Sequence, residues 1–139
     1  MGGKPTILCV EDMEANLQVR VLLLQQFGCE TLTATNAITA IQIAADEPLD
    51  LVLIDYHLAN GETGEQVARD VRVLKPHVPL VMLSGDAQLP DSARECVDAV
   101  LTKGLSSPGE LFDMIQRLLP DAKLRPRRPM LIPEPKPNP

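Results

Sequence analysis

Apolar residues along this chain fall into short blocks, and between the blocks the apolar spacing becomes helical. Four blocks are rich in branched side chains: "TILCV" at 6–10, "ETLTA" at 30–34, "DLVLID" at 50–55 and "PLVMLS" at 79–84, with a weaker fifth, "AVLT", at 99–102. Each has the length and composition of a β-strand. After the first, Leu17, Val21 and Leu24 keep an i, i+4, i+7 spacing and Gly28 offers a left-handed stop, which predicts an amphipathic helix. Residues 36–46 open on Asn36, a good N-cap, and Pro48 breaks the pattern that follows. Thr63 and Gln66 form a capping box ahead of the stripe Val67, Val71 and Leu74. The last helix is the best specified: Ser107 as cap, Pro108 in the first turn, Glu110 three residues after the cap, and Leu111, Ile115 and Leu118 on one face up to Pro120. Residues 86–97, with Pro90 in their middle, leave room for one or two helical turns.

Five strands alternating with helices, the third and fourth continuously apolar, predict an α/β fold in which a parallel sheet is covered on both faces. Right-handed crossovers leave few topologies for such a doubly wound sheet, and its ligands bind beyond the carboxyl ends of the strands.

Composition narrows this picture. A chain of 139 residues holds one ordinary domain, and with 2% aromatic residues and no Trp its core must be aliphatic. Base-stacking modes of nucleic-acid binding are thereby disfavoured. The net charge of -6 is unevenly spread: residues 1–119 carry 8 basic against 17 acidic residues, while residues 120–139 carry 5 against 2. An acidic domain argues against direct nucleic-acid binding. The tail 120–139 holds seven prolines, cannot form a regular helix or a central strand, and reads as a disordered or extended basic tail or linker beyond a domain at 5–119. Cys9, Cys29 and Cys96 lack the spacing of a zinc site or a disulfide framework and read as buried thiols. The apolar runs are too short for a membrane span and no signal peptide is evident, so the cytoplasm is the expected location.

The strand ends carry the chemistry. Glu11 and Asp12 follow the first strand, Asp55 ends the third, Ser84 ends the fourth, and Lys103 follows the fifth. In a parallel sheet all of these gather on one edge. Three carboxylates there repel one another unless a cation sits among them, and a hard divalent ion with oxygen ligands suits the donor set. With Lys103 to neutralise equatorial oxygens and Ser84 to offer a hydroxyl, the set suits phosphoryl transfer onto a carboxylate. Singly, each residue has a plainer explanation: Glu11 and Asp12 as caps of the first helix, Asp55 and Ser84 as turn formers, Lys103 as a solvated lysine.

Together, "CVED", the Asp of "LVLID", the Ser of "LVMLS" and the Lys after "DAVLT" resemble the receiver domain of two-component response regulators over roughly residues 5–119. The resemblance implies a flavodoxin-like strand order 2-1-3-4-5. It implies that Asp55 accepts a phosphoryl group from a sensor histidine kinase or phosphotransfer protein, with Ser84 and Lys103 acting on that group. It implies Mg2+ held by Asp12, Asp55 and the backbone carbonyl of His57, with Glu11 acting through water. Signalling to a downstream partner, dimerisation through the fourth-helix face and an intrinsic autophosphatase activity, but no separate enzymatic function, are further implications. His57 also reads as a solvent-exposed loop histidine.

The chain departs from the family pattern on the output side. Ala59 and Gly104 stand where Pro is usual, Val100 where an aromatic switch residue is common, and Gly64 comes one residue late, so that the loop after Asp55 is longer. The segment between Ser84 and Lys103 is shortened, which stunts the fourth helix. These changes predict an altered or weaker conformational readout. A second reading is a pseudo-receiver that binds proteins without being phosphorylated, against which the intact acidic cluster and Lys103 argue. A third, an aspartyl-phosphate phosphatase, needs a second Asp two residues after the first, where this chain has His57.

Overall fold

The structure is a computed structural model that describes residues 3–85, 89–103 and 107–125. Five strands, β1 (Thr6–Val10), β2 (Glu30–Ala34), β3 (Leu51–Asp55), β4 (Leu80–Ser84) and β5 (Ala99–Thr102), form one sheet in the order β2-β1-β3-β4-β5, every pairing parallel. The strands fall where the branched apolar blocks predict them, and the strand order is the expected one. The order reverses between β1 and β3, which leaves a crevice beyond their carboxyl ends.

Helices α1 (Glu14–Gln26), α2 (Ala37–Asp46), α3 (Gly64–Leu74), α4 (Asp91–Glu95) and α5 (Pro108–Leu118) cover the sheet. Successive strand residues point to opposite faces, so each strand feeds two separate cores. Leu8, Val10, Val52, Ile54, Leu80 and Met82 pack with Ala40 and Ala44 of α2, Val67 and Val71 of α3 and Ala93 of α4. Ile7, Cys9, Leu51, Leu53, Val81 and Leu83 pack with Leu17 and Leu24 of α1 and Leu111 and Ile115 of α5. Phe27 meets Phe112 edge to face at 5.1 Å on this second side. β3 and β4 are buried at every position, which is why they read as unbroken apolar runs.

The caps follow the sequence closely. Asn36, Thr63 and Ser107 accept from the backbone amides of Thr39, Gln66 and Glu110, and Gly28 ends α1 with φ of +88°. α1 is the exception: its N-cap is Met13, with no side-chain cap. Glu11 and Asp12 precede it and are therefore not the caps of this helix. α4 is a five-residue helix after Pro90, as short as expected. Two polar clamps hold it to α3. Ser92 donates to Glu65 at 2.9 Å, while Arg72 donates to the Cys96 carbonyl at 3.3 Å and to Asp98 at 3.0 Å.

Cys9 and Cys29 are buried, whereas Cys96 is only half-buried because it closes the short α4 at the surface. Beyond α5, the Arg125 amide donates to the Phe27 carbonyl at 2.7 Å and Leu124 packs on the α1/α5 core, so residues 120–125 lie against the domain. The rest of the proline-rich tail lies outside the described residues, as do Asp86 and Gly104. Among the described residues no helix is long and apolar enough to cross a membrane.

Candidate functional site

Each strand of the central trio delivers a polar residue to the crevice because its apolar run stops there. β1 ends at Val10, and the Glu11 amide still donates to the Ala34 carbonyl at 3.0 Å, which keeps Glu11 in line with the sheet. Its side chain is fully buried, Asp55 is 3% exposed, and Asp12 lies half-buried beside them. One carboxylate oxygen from each of Glu11, Asp12 and Asp55 lies within 4.8 Å of the other two. The sheet thus brings together residues 43 positions apart in sequence, as the strand-end pattern predicts.

Lys103, carried just past β5, spans this group. Its ammonium donates to Glu11 Oε1 at 3.2 Å and to Asp55 Oδ2. The Lys103 amide donates to the Ser84 carbonyl at 2.7 Å, which ties the end of β5 to the end of β4. Ser84 is fully buried at the end of β4, paired in register with Thr102. The other Asp55 oxygen, Oδ1, accepts from the His57 amide at 3.3 Å. The His57 ring is exposed and rests edge-on against Tyr56, with ring centres 4.8 Å apart. Its exposed side chain is not part of the carboxylate group among the described residues, in keeping with the exposed-loop reading.

The longer loop after Asp55 is accommodated locally. A single 3-10 turn at Ala59–Gly61 places Asn60 and Gly61 in the left-handed region, at φ of +61° and +75°. Asn and Gly tolerate that conformation, so the extra residue is absorbed there. The chain then returns to the site: the Gly64 amide donates to the Tyr56 carbonyl at 2.7 Å. A Cβ on Gly64 would collide with the Asp55 carbonyl oxygen, and it would lie 2.8 Å from Met82 Sδ and 2.9 Å from Ile54 Cγ2. Although one residue late, Gly64 is the glycine that lets α3 start against the end of β3.

Sequence reading missed one member of this group. Arg20 projects from α1 and places Nη2 3.7 Å from Glu11 Oε1, with its side chain only 12% exposed. The available signal is a basic residue three positions after Leu17 and four before Leu24, on the apolar side of the helix.

Buried polar atoms normally find partners, and two here have none among the described residues: Glu11 Oε2 and Arg20 Nη1. An oxygen-only donor set of three carboxylates, one with an orphaned buried oxygen, fits a hard divalent cation such as Mg2+.

A family model described as the response regulator receiver domain matches residues 7–118. Among curated relatives, the sensory/regulatory protein RpfC of Xanthomonas campestris pv. campestris is 30% identical over 106 residues, covering 73% of this chain and 14% of that protein. The sensor histidine kinase GacS of Pseudomonas protegens is 30% identical over 110 residues, covering 73% of this chain and 12% of that protein. The chain therefore spans only a small part of the length of these relatives. Among solved structures, the receiver domain of a sensor histidine kinase from Pseudomonas aeruginosa, with a magnesium ion in its active-site cleft, matches with a TM-score of 0.75 at 27% identity. That match covers 84% of this chain and 98% of the other. A receiver domain from Methanospirillum hungatei shares the fold with a TM-score of 0.78 at 24% identity, over 85% and 96% of the two chains. With the family model matched from β1 through α5, on a sheet of the expected order, this chain belongs to the response regulator receiver domains of two-component signalling systems.

Proposed function

We propose that the chain is a working phosphoacceptor, taking a phosphoryl group onto Asp55 from the phosphohistidine of a sensor kinase or phosphotransfer protein. The observation that carries this reading is Lys103 bridging Glu11 and Asp55 at the point where three carboxylates converge. A domain used only for docking has no need to gather three like charges in a buried crevice, where each costs solvation.

Each residue has a definite task. A carboxylate oxygen of Asp55 forms the new O–P bond as the P–N bond of phosphohistidine breaks, and the electron pair stays on the imidazole nitrogen. β3, buried along its length, holds Asp55 rigid, while the His57 amide and Lys103 each hold one of its oxygens. Lys103 offers charge to the phosphoryl oxygens, and Ser84, adjacent on β4, offers a hydroxyl to the bound group. Asp12, Asp55 and the His57 carbonyl would hold Mg2+, with Glu11 acting through water, and the ion would supply charge neutralisation for the transferring group. The partners are a histidine kinase or phosphotransfer protein and a downstream target of the phosphorylated form. The expected site of action is the cytoplasm.

Incubation with a small phosphodonor and Mg2+, followed by intact-mass measurement, tests the proposal. One base-labile phosphoryl addition is expected, absent in Asp55→Asn. No addition to a folded wild-type chain would refute the reading and leave an interaction module.

A further inference from the structure

Glu11 is the most deeply buried acid of the site, and two cations address the same oxygen of it. Lys103 Nζ donates to Oε1 at 3.2 Å, and Arg20 Nη2 stands 3.7 Å from Oε1, while Oε2 is left without a partner among the described residues. Lys103 reaches across from the end of β5 and also holds Asp55. Arg20 comes from the opposite wall, the inner side of α1, and faces Glu11 alone among the site carboxylates. Its Nη2 stands beyond hydrogen-bond distance of Glu11, and its Nη1 is buried without a partner among the described residues. The guanidinium is thus held near the carboxylate as a charge rather than as a bonded fork. Arg20 and Lys103 also line one open cleft of about 450 Å3 between α1, β5 and α5, together with Leu23, Leu83 and Leu101.

We propose that Arg20 is a positioning residue: a fixed counter-charge that holds the Oε1 side of Glu11, leaves Oε2 for a metal-bound water, and lowers the affinity of the acidic cluster for a divalent cation. The inference rests on the reading of Glu11, Asp12 and Asp55 as a cation site and adds how that site is tuned. Two positive charges within reach of one carboxylate repel, weakly in water and more strongly in a crevice closed on one side, and added salt screens the repulsion where the cleft is open. A purely structural arginine would leave cation affinity and its salt dependence unchanged.

Calorimetric titration of Mg2+ into the unphosphorylated chain tests this, with Arg20→Met, Arg20→Lys and Glu11→Gln beside the wild type. Arg20→Met keeps the packing of the stem, and Arg20→Gln replaces it should Arg20→Met fail to fold. Removing the charge is expected to tighten Mg2+ binding about five- to tenfold at low ionic strength, with the gain shrinking as salt is raised. Arg20→Lys, which keeps the charge, is expected to stay within about twofold of the wild type. If Glu11→Gln weakens binding and neither charge-removing variant tightens it, the role of Arg20 is overturned while the cation site stands. If the wild type binds no Mg2+, or Glu11→Gln binds it equally well, the site reading fails and the role of Arg20 falls with it.

Discussion

Replacing Gly64 by Ala sets local propensity against tertiary geometry, and the two give opposite signs. Gly64 is the first residue of α3, with no positive φ, so a generic estimate expects Ala to stabilise by up to about 1 kcal/mol through helix propensity and a less flexible unfolded chain. The added methyl group, however, meets the Asp55 carbonyl oxygen, Met82 Sδ and Ile54 Cγ2, all too close for a real Cβ. Met82 is flexible, but the other two belong to β3, which is buried throughout and cannot yield without moving Asp55. Overpacking of this kind costs up to about 3 kcal/mol, so the net loss is about 2 kcal/mol. With an m-value of about 2 kcal/mol/M, the urea midpoint drops by about 1 M at unchanged m. Gly109→Ala is the internal control. Its methyl group would meet only Ser107 Oγ at an ordinary 3.7 Å, so it is expected to gain about 0.5–1 kcal/mol. On the proposed phosphoacceptor role of Asp55, the same clash in Gly64→Ala is expected to slow phosphoryl uptake. A midpoint for Gly64→Ala equal to or above the wild type would refute the close-approach argument.

Two further predictions concern the clamps and the thiols. Arg72→Met removes the bonds to Val78, Cys96 and Asp98 and is expected to cost about 1–2 kcal/mol, a moderate figure because Arg72 and Asp98 are about a third exposed. Hydrogen exchange should rise selectively in α4 and the start of β5, and a uniform rise across the domain would count against a local clamp. Burial pushes the Cys9 thiol up from 9.0 to about 12, with Arg20 opposing more weakly. The unfolded chain therefore loses this proton from about pH 9 while the folded chain keeps it. The stability tied to the thiol is complete below pH 9 and is lost as pH rises through that window, by about 1.4 kcal/mol per pH unit. Cys9→Ala should flatten the alkaline decline in a pH series of urea midpoints, and an unchanged slope would refute the assignment.

Much of the fold was legible because local and tertiary preferences agree. Asn36, Thr63 and Ser107 cap helices where a side-chain oxygen is needed, and the apolar runs at β3 and β4 are unbroken because both faces of the sheet are covered. Asp55 and Lys103 were legible as a pair because parallel strands bring their carboxyl ends to one edge. Arg20 was hidden because a basic residue beside an apolar stripe ordinarily turns its charge to solvent, and only the depth of Glu11 gives it an inward partner. Gly64 looked displaced by one position because spacing counts residues, whereas the left-handed Asn60–Gly61 pair takes up the extra residue before the chain returns. The Arg72–Asp98 clamp depends on how α3 meets a shortened α4, which no single segment encodes.

The bond between the Arg125 amide and the Phe27 carbonyl anchors the segment after α5 to the domain. Arg125 sits among Lys4, Thr6 and Glu30, at the amino ends of β1 and β2, whereas Asp55 lies at the opposite pole of the sheet. Arg125 is therefore separated from Asp55 by the length of a five-residue strand, about 17 Å. α1 runs between the two poles, beginning beside the acidic crevice and ending at Phe27, whose carbonyl holds the Arg125 amide. Arg20, midway along α1, ties that helix by its charge to Glu11 in the crevice.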